Sequence, residues 1–342
     1  MGFLLNSTRY FSDRGVFLNH HFNNFMIRED KMEVKAYEVG FKNRRKNIQK
    51  VLGEFFEREI LINNNDSKID YKFSNSLLNG EKKSVAKNKL IAKDKFVDSC
   101  GMAAHTSSYA VIKNAFLEFF ERQSLIVNYL TKTPEDSINI SKFHSFNTYL
   151  LNYVDNVYYY NISLSPKVFV ILTLGIGKVN KCTGLGTSFI LEEAIKKSQI
   201  EALQYFATKH TKECEIDFDK NDDIEQKDLY HKKFDSITIP QFRKLYHYLL
   251  ETESTIIRQT VAQLKSEFLV LLDWCNINLK MNPMISMFPS HRKIPHLKIV
   301  KVFDTNWFPH LNPSLYTKEN IDNVSKIIGK RLDYNIDWIP FP

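Results

Sequence analysis

LGEFFEREIL at residues 52–61 and FLEFFERQSL at residues 116–125 share the five-residue core EFFER. A third segment, IEALQ at 200–204, carries a glutamate and a glutamine at the same i, i+3 spacing. On a helix this spacing places two side chains on one face, one turn apart. The three segments therefore predict three helices with a polar pair on one face, and the phenylalanines in two of them predict a position at the edge of the core.

The repeat has two interpretations. Glu54 with Arg58 and Glu118 with Arg122 have i, i+4 spacing in the favourable order, so both could be surface ion pairs worth ~0.3–0.5 kcal/mol each. Exposed helix faces, however, are under little physical demand to be identical in two places. The repeat therefore favours a shared role for the two helices.

If the three helices converge, their acidic side chains form a charged cluster. Five glutamates against two arginines leave three net negative charges: Glu54, Glu57, Glu118, Glu121 and Glu201 against Arg58 and Arg122. Two carboxylates ~5 Å apart repel by ~3 kcal/mol at an effective dielectric near 20, so the cluster needs cations or extra protons. Mg2+ suits such oxygen ligands and normally shares its shell with nucleotide phosphates, which arginines can also contact. The pattern predicts an Mg-nucleotide site without a Walker loop, because GIGKVNK at 175–181 lacks that spacing and fits a turn between strands.

The rest of the chain alternates between strand and helix patterns, which predicts the α/β or α+β class in one domain. Strands are expected at 33–41, 157–165, 167–177 and 297–303, and helices at about 44–61, 108–130 and 241–266. The glycine-containing segment TGLGTS at 183–188 is expected to be a turn that opens a helix ending near Phe206. Residues 66–95 and 214–235 are expected to be surface connections with modest local structure.

Composition narrows the class of protein. The 342 residues carry a net charge of +8 that is scattered along the chain, so nucleic-acid or membrane binding is not expected. The four cysteines are far apart and never form CxxC, which disfavours a disulfide framework or a zinc site. The first residues, MGFLLNSTRYFSDRG, lack a long apolar stretch and a cleavage site, so a secretory signal is not expected, and the longest apolar run, 168–176, is too short to span a bilayer. We expect a cytoplasmic protein.

At these motifs the chain resembles the YcaO family, and more closely its cyclodehydratase members that mature thiazole- and oxazole-containing microcins. Members show a GE-x-x-ER helix, a CG-x-A-x-H turn that leads into a second E-x-x-ER helix, and a TGL…E-x-x-Q helix. The corresponding stretches here are GEFFER at 53–58, SCGMAAHTSSYAVIKNAFLEFFERQSL at 99–125 and TGLGTSFILEEAIKKSQIEALQ at 183–204. WIPFP at 338–342 is similar to the proline-rich carboxyl terminus of cyclodehydratase members.

The resemblance implies a single YcaO domain over residues 1–342, with mixed β-sheets and helices that wrap an Mg-ATP cleft. It implies that Glu54, Glu57, Glu118, Glu121 and Glu201 bind Mg2+ and phosphate, with Arg58, Arg122 and Gln204 nearby. It also implies ATP-dependent cyclodehydration, in which Cys, Ser or Thr of a ribosomal precursor peptide becomes a thiazoline or oxazoline. The terminal carboxylate of Pro342 is expected near the cleft, in proton transfer.

Three residues depart from the family pattern. Trp338 replaces a proline of the tail, Lys50 stands where many members have a small residue, and Ala110 stands where an acidic residue is common. His105, in the turn before the second helix, is expected to cap or pack rather than to act as a base. His231, His247 and His291 lack metal-ligand spacing.

The resemblance also implies partners. A separate leader-binding, E1-like subunit and a flavin-dependent dehydrogenase are expected to act with this chain on the precursor peptide, within a multi-subunit synthetase. Two alternatives stay open at this point. The enzyme could form a thioamide or amidine instead, or the chain could be a scaffold subunit without catalytic activity, which the intact EFFER pairs disfavour.

Overall fold

In the computed structural model, the described residues form two compact units of mixed α and β structure. The residues that the structure describes are 9–17, 20–29, 32–40, 43–63, 71–86, 90, 99–135, 137–139, 144–215, 229–252, 268–289, 294 and 296–342. One unit comprises Met1–Arg122, Cys275–Leu311 and Tyr316–Ile327, and the other comprises Gln123–Trp274, Asn312–Leu315 and Ile328–Pro342. We refer to them as unit 1 and unit 2; organisation of the chain as a single domain stays a prediction.

Unit 1 contains two antiparallel sheets. A three-stranded sheet has the order β1-β2-β3, and a five-stranded sheet has the order β5-β4-β10-β11-β6. The strands are β1 (Arg9–Phe17), β2 (His20–Glu29), β3 (Met32–Gly40), β4 (Tyr71–Ser76), β5 (Lys82–Ala86), β6 (Met102–His105), β10 (Met284–Phe288) and β11 (Lys298–Phe303). Every pairing within them is antiparallel, as expected when hairpins join successive strands.

The first EFFER segment lies on a helix of unit 1, α1 (Arg44–Asn63), which contacts β3 and β6. Its apolar residues Val51, Phe55 and Phe56 belong to a core cluster that also contains Met102 and Phe303. Burying one such large side chain contributes ~1.5–3 kcal/mol, so this packing fixes which face of α1 is directed away from the core. Helix α9 (Lys318–Ile328) lies mostly in the same unit.

Helices α2 (Ser108–Thr131) and α8 (Phe268–Leu279) each contribute several residues to both units. Helix α2 has its first part in unit 1 and its last part in unit 2, and α8 runs from unit 2 into unit 1. The other helices of unit 2 are α3 (His144–Leu150), α4 (Leu191–Glu215), α5 (Leu229–Ser236), α6 (Ile239–Leu245) and α7 (His247–Leu250).

Unit 2 contains a third antiparallel sheet with the order β7-β8-β9. Its strands are β7 (Asn156–Asn161), β8 (Phe169–Ile176) and β9 (Lys181–Ser188). Every residue of β8 and β9 is buried, so both faces of these strands are covered. This burial explains why β8 is a nearly continuous apolar run instead of an alternating one.

The glycine-containing segment TGLGTS is not a turn, as the sequence pattern predicted, but the body of strand β9. A Cβ atom at Gly184 would lie 2.1 Å from the carbonyl oxygen of Ser198, and one at Gly186 would lie 2.2 Å from that of Ala194. Both carbonyls belong to α4. The glycines are therefore explained by close packing of a helix backbone on a strand, and not by the reversal of the chain.

Two other predicted segments also differ. Residues 71–86, expected to have only modest structure, form the β4–β5 hairpin. The single helix expected over 241–266 is instead α6 and α7 as far as Leu250, and residues 253–267 lie outside the described residues. The reversal predicted at 175–181 is confirmed, because the N–H of Gly177 donates to the carbonyl of Asn180 between β8 and β9.

Candidate functional site

The first EFFER helix places its carboxylates at the edge of the core, as the sequence predicted. Phe55 and Phe56 are 1% and 3% exposed, whereas Glu54 and Glu57 are half-buried. Glu54 Oε1 lies 2.6 Å from Arg58 Nη2, so the predicted i, i+4 ion pair is formed. This helix therefore has both the ion pair and the position at the core boundary. Its structure fits the interpretation as a surface ion pair and the interpretation as a shared site equally well.

Burial disfavours the charged form of both glutamates. It raises the pKa of Glu57 to about 8, and the neighbouring charge of Glu54 acts in the same direction. The pKa of Glu54 is also raised by burial, although Arg58 opposes this. Each carboxylate accepts a backbone N–H, that of Tyr37 for Glu54 and that of Ala104 for Glu57. This pair would gain from a bound cation, which is the property expected of Mg2+ ligands.

Sequence reasoning missed one acidic residue of this cluster. Glu38, on β3, forms an ion pair with Lys50 on α1, in which Lys50 Nζ donates to Glu38 Oε1 at 2.6 Å. The side chain of Glu38 is only 14% exposed. Burial raises the pKa of Glu38, and the charge of Glu54 adds to the effect. No local signal in the sequence points to Glu38, because its partner Lys50 lies on another element.

The turn before the second EFFER helix depends on a glycine. Gly101 has φ of +72°, and a Cβ atom there would lie 2.1 Å from the carbonyl oxygen of Val302. Both the dihedral angle and the close approach exclude other residues. The N–H of Val302 donates to the carbonyl of Gly101, so this turn is joined to strand β11.

Helix α2 begins as the sequence predicted. Ser107 Oγ accepts the N–H of Ala110, and His105 Nδ1 accepts the N–H of Ser107 at 2.9 Å. His105 thus holds Ser107, the residue that caps α2, and the expectation that His105 does not act as a base stays a prediction. Farther along, Phe119 and Phe120 are 1% and 0% exposed.

The polar residues of this second repeat, Glu118, Glu121 and Arg122, are half-buried. The helix thus reproduces the α1 arrangement, with buried phenylalanines between half-buried carboxylates. Both EFFER copies belong to unit 1.

The third predicted pair lies on α4, in unit 2. Glu201 Oε2 accepts the N–H of Leu185 at 2.6 Å, and Lys197 Nζ donates to the carbonyl of Thr187 at 2.7 Å. Strand β9 is an edge of its sheet, so these two side chains satisfy backbone groups that the sheet does not. Gln204 is half-buried on the same helix. Glu201 therefore has a structural role in unit 2, and its convergence with the EFFER carboxylates stays a prediction.

The segment 338–342 is packed, not frayed. Ile339 and Phe341 are 0% and 2% exposed, and Trp338 lies with its ring 5.1 Å from Lys233 Nζ. The hydroxyl of Tyr246 donates to the carbonyl of Pro340 at 2.9 Å. This segment is therefore held by unit 2, with Pro342 half-buried at its end.

The remaining candidate residues are buried cysteines and a histidine on the surface. Cys100, Cys182 and Cys275 are buried and not in disulfides, and the side chain of Cys214 lies outside the described residues. His247 forms an exposed i, i+4 contact with Glu251. Within the described ranges, no three histidine, cysteine or acidic side chains are grouped to hold a metal unaided. A bound Mg2+ would need other oxygens, and nucleotide phosphates and water supply them in such sites.

Comparison with models of protein families identifies the family of this chain. Residues 74–274 match the model of the YcaO cyclodehydratases, which is described as ATP- and Mg2+-binding. The chain belongs to the YcaO family. ATP and Mg2+ are the cofactors of this family, and the raised pKa values at Glu54 and Glu57 fit a site for a divalent cation. A search of curated protein sequences finds no match.

Solved YcaO structures share the fold. A chain of the Escherichia coli microcin synthetase McbBCD complex is 18% identical, with a TM-score of 0.70 over 99% of this chain and 98% of that one. The same complex with pro-MccB17 bound gives 19% identity and a TM-score of 0.70 over 99% and 98% of the two chains. YcaO from Methanopyrus kandleri, bound with AMPPCP and Mg2+, is 14% identical, with a TM-score of 0.66 over 87% of this chain and 84% of that one. The predicted α/β fold of the YcaO type is confirmed.

Proposed function

We propose that this chain is an ATP-dependent cyclodehydratase that converts Cys, Ser or Thr of a ribosomally made precursor peptide to thiazoline or oxazoline. Family membership supports the use of ATP and Mg2+. The observation that carries the proposal is the pair Glu54 and Glu57, whose pKa values are both raised by burial at the edge of the core. Burial disfavours the charged form of both carboxylates and a bound cation would offset this, which supports an Mg2+ site on this helix.

The repeated glutamates are the proposed Mg2+ and phosphate ligands, and two arginines and a glutamine act beside them. The proposed metal ligands are Glu54, Glu57, Glu118, Glu121 and Glu201, with Arg58, Arg122 and Gln204 as further nucleotide-binding residues. Bound Mg2+ would neutralise charge on the phosphates. The arginines suit phosphate oxygens because the guanidinium presents its donors in a fork. Glu201 would keep its hydrogen bond to Leu185 in this role.

The proposed reaction removes a poor leaving group. The side-chain sulfur or oxygen of the substrate attacks the preceding amide carbonyl and loses its proton, which forms a tetrahedral adduct. The former carbonyl oxygen takes the γ-phosphoryl group of ATP and leaves as phosphate, while the nitrogen loses its proton and forms the C=N bond. ATP becomes ADP, and the peptide loses the elements of water. The enzyme contributes positioning and charge neutralisation, which is how phosphoryl transfer is usually catalysed.

The tail is the proposed site of proton transfer, through the terminal carboxylate of Pro342. Burial of Ile339 and Phe341 and the hydrogen bond from Tyr246 support this role, because a group that transfers protons must be held in one place. The two prolines further restrict the segment.

The proposed partners are the precursor peptide, a leader-binding E1-like subunit and a flavin-dependent dehydrogenase that aromatises the azoline, in a multi-subunit synthetase. A structural neighbour is a chain of the McbBCD complex, which supports assembly of this kind. Across the described residues, the helices are too short or too polar to cross a membrane. We propose a cytoplasmic location, without nucleic-acid or membrane partners.

Incubation of the purified chain with Mg-ATP, its precursor peptide and its partner proteins tests this function. Mass spectrometry should show the loss of one water mass per modified residue, with an equal amount of phosphate released. Gain of sulfur in place of oxygen would indicate a thioamide, and water loss without consumption of Cys, Ser or Thr side chains would indicate an amidine. A lack of ATP turnover in every combination would contradict catalysis and leave a scaffold role.

A further inference from the structure

Lys50 lies on the same helix as the proposed metal ligands, one turn before Glu54. Its ammonium is 2.6 Å from Glu38 Oε1, and the Lys50 side chain is 51% exposed. Glu38 belongs to strand β3, whose next residue toward the amino terminus, Tyr37, donates its N–H to Glu54. Lys50 is therefore fixed at the edge of the carboxylate cluster by an ion pair between two elements of unit 1.

The charges of this cluster show the effect of Lys50. With all three carboxylates ionised, as metal binding requires of Glu54 and Glu57, the acidic residues Glu38, Glu54 and Glu57 contribute three negative charges; Lys50 and Arg58 contribute two positive ones, which leaves a net charge of −1. Without Lys50 the same five positions would carry −2. A lysine at this position thus supplies one unit of the positive charge that a metal ion would otherwise supply.

We propose that Lys50 is a resident cation that sets the Mg2+ affinity of the α1 carboxylates, with Glu38 as the residue that holds it in place. The inference rests on the proposed function, which assigns Glu54 and Glu57 to the metal. It adds a role for two residues that are not themselves metal ligands. Lys50 repels an incoming cation, and Glu38 limits that repulsion by keeping the ammonium on the side of β3.

Four proteins test the proposal: the wild-type full chain, Lys50→Met, Glu38→Gln and the double variant. Mg2+ is titrated into each protein by isothermal titration calorimetry in the presence of saturating AMPPCP, and the heat of Mg2+ binding to AMPPCP alone is subtracted. Lys50→Met should bind Mg2+ about tenfold more tightly, because one repelling charge near a divalent ion is removed. Glu38→Gln should bind it more weakly, since the ammonium is released toward Glu54. The double variant restores the net charge of −1 and should return to the wild-type affinity.

Lys50→Arg is the matched control, because it keeps the charge and should keep the wild-type affinity. Equal Mg2+ affinity in wild type and Lys50→Met overturns the proposal, and so does a lack of Mg2+ binding in every protein. The cyclisation assay is scored separately. If the wild type cyclises the peptide but the affinities do not follow charge, the role of Lys50 fails and the proposed function stands. If the affinities follow charge but no ATP is consumed, the proposed function fails and the cation site remains.

Discussion

Replacement of Gly184 by alanine tests how closely α4 packs on strand β9. The added Cβ would lie 2.1 Å from the carbonyl oxygen of Ser198 and 2.6 Å from the nitrogen of Ala202. Both neighbours are backbone atoms in the middle of a helix, so neither can rotate away. The strand and the helix must therefore move apart.

The expected destabilisation has two parts. Overpacking of this kind typically costs ~1–3 kcal/mol. Separation of the two elements would also stretch the 2.6 Å hydrogen bond between Glu201 and the N–H of Leu185, and a bond to a charged group contributes ~1.5–3 kcal/mol. We expect a combined loss of about 2.5–6 kcal/mol, a large share of the ~5–15 kcal/mol that stabilises an ordinary domain.

Urea unfolding followed by far-ultraviolet circular dichroism measures this loss as a lower midpoint. Gly53→Ala is the matched control, because a Cβ there would meet Ala104 Cβ at an ordinary 3.7 Å and because alanine favours helix α1. That control should unfold at the wild-type midpoint or above it. If Gly184→Ala unfolds with Gly53→Ala, the helix does not pack on the strand as described.

Three further predictions concern charge and thiol reactivity. Glu118→Gln should weaken binding of Mg-AMPPCP more than tenfold in calorimetry while the melting temperature without metal is unchanged or higher; normal nucleotide binding would contradict the assigned role. Burial lowers the pKa of Lys132 to about 7. Between about pH 7 and 10.5, Lys132 therefore keeps a proton in the unfolded chain that it has lost in the folded chain, so the free energy of unfolding rises with pH. The unfolding free energy of wild type should therefore rise relative to Lys132→Met from pH 7 to pH 10, and a constant difference would refute the lowered pKa. Burial raises the pKa of Cys182 and of Cys275 to about 12, so neither thiol should be alkylated by iodoacetamide at pH 8 in the native protein. Peptide mass spectrometry measures the labelling, and rapid labelling of either thiol would contradict its burial.

Two long helices were predicted almost to the residue. The helix predicted over 44–61 is Arg44–Asn63, and the one predicted over 108–130 is Ser108–Thr131. Both carry long apolar stripes at helical spacing, and α2 starts at a serine cap. Periodicity and capping are local, so a single sequence contains them.

Strand β9 was mistaken for a turn because glycine has two uses that look alike in sequence. Gly184 and Gly186 suggest a reversal of the chain, yet they serve close approach to a helix that begins only at Leu191. That requirement exists in three dimensions and leaves no local pattern. The β4–β5 hairpin was missed because β4 buries Ser74 and Ser76 and exposes Tyr71 and Phe73, which reverses the alternation that predicts a half-buried strand.

For the candidate site, the sequence indicated the residues on each helix but not their neighbours on strands. The EFFER repeat correctly predicted that Glu54 and Glu57 lie beside buried phenylalanines. Glu38 was missed because its partner Lys50 is on another element, and such a pairing depends on how a strand packs against a helix. The joint binding of one nucleotide by all predicted ligands stays a prediction.

Glu201 shows that an acidic residue can be required by the backbone as well as by chemistry. Its carboxylate supplies the acceptor that an edge strand otherwise lacks, so its removal would damage folding before any turnover was measured. A relative that had lost catalysis would still be selected to retain a glutamate there. Degenerate, non-catalytic members of such a family are therefore better recognised by changes in the EFFER helices than by this position.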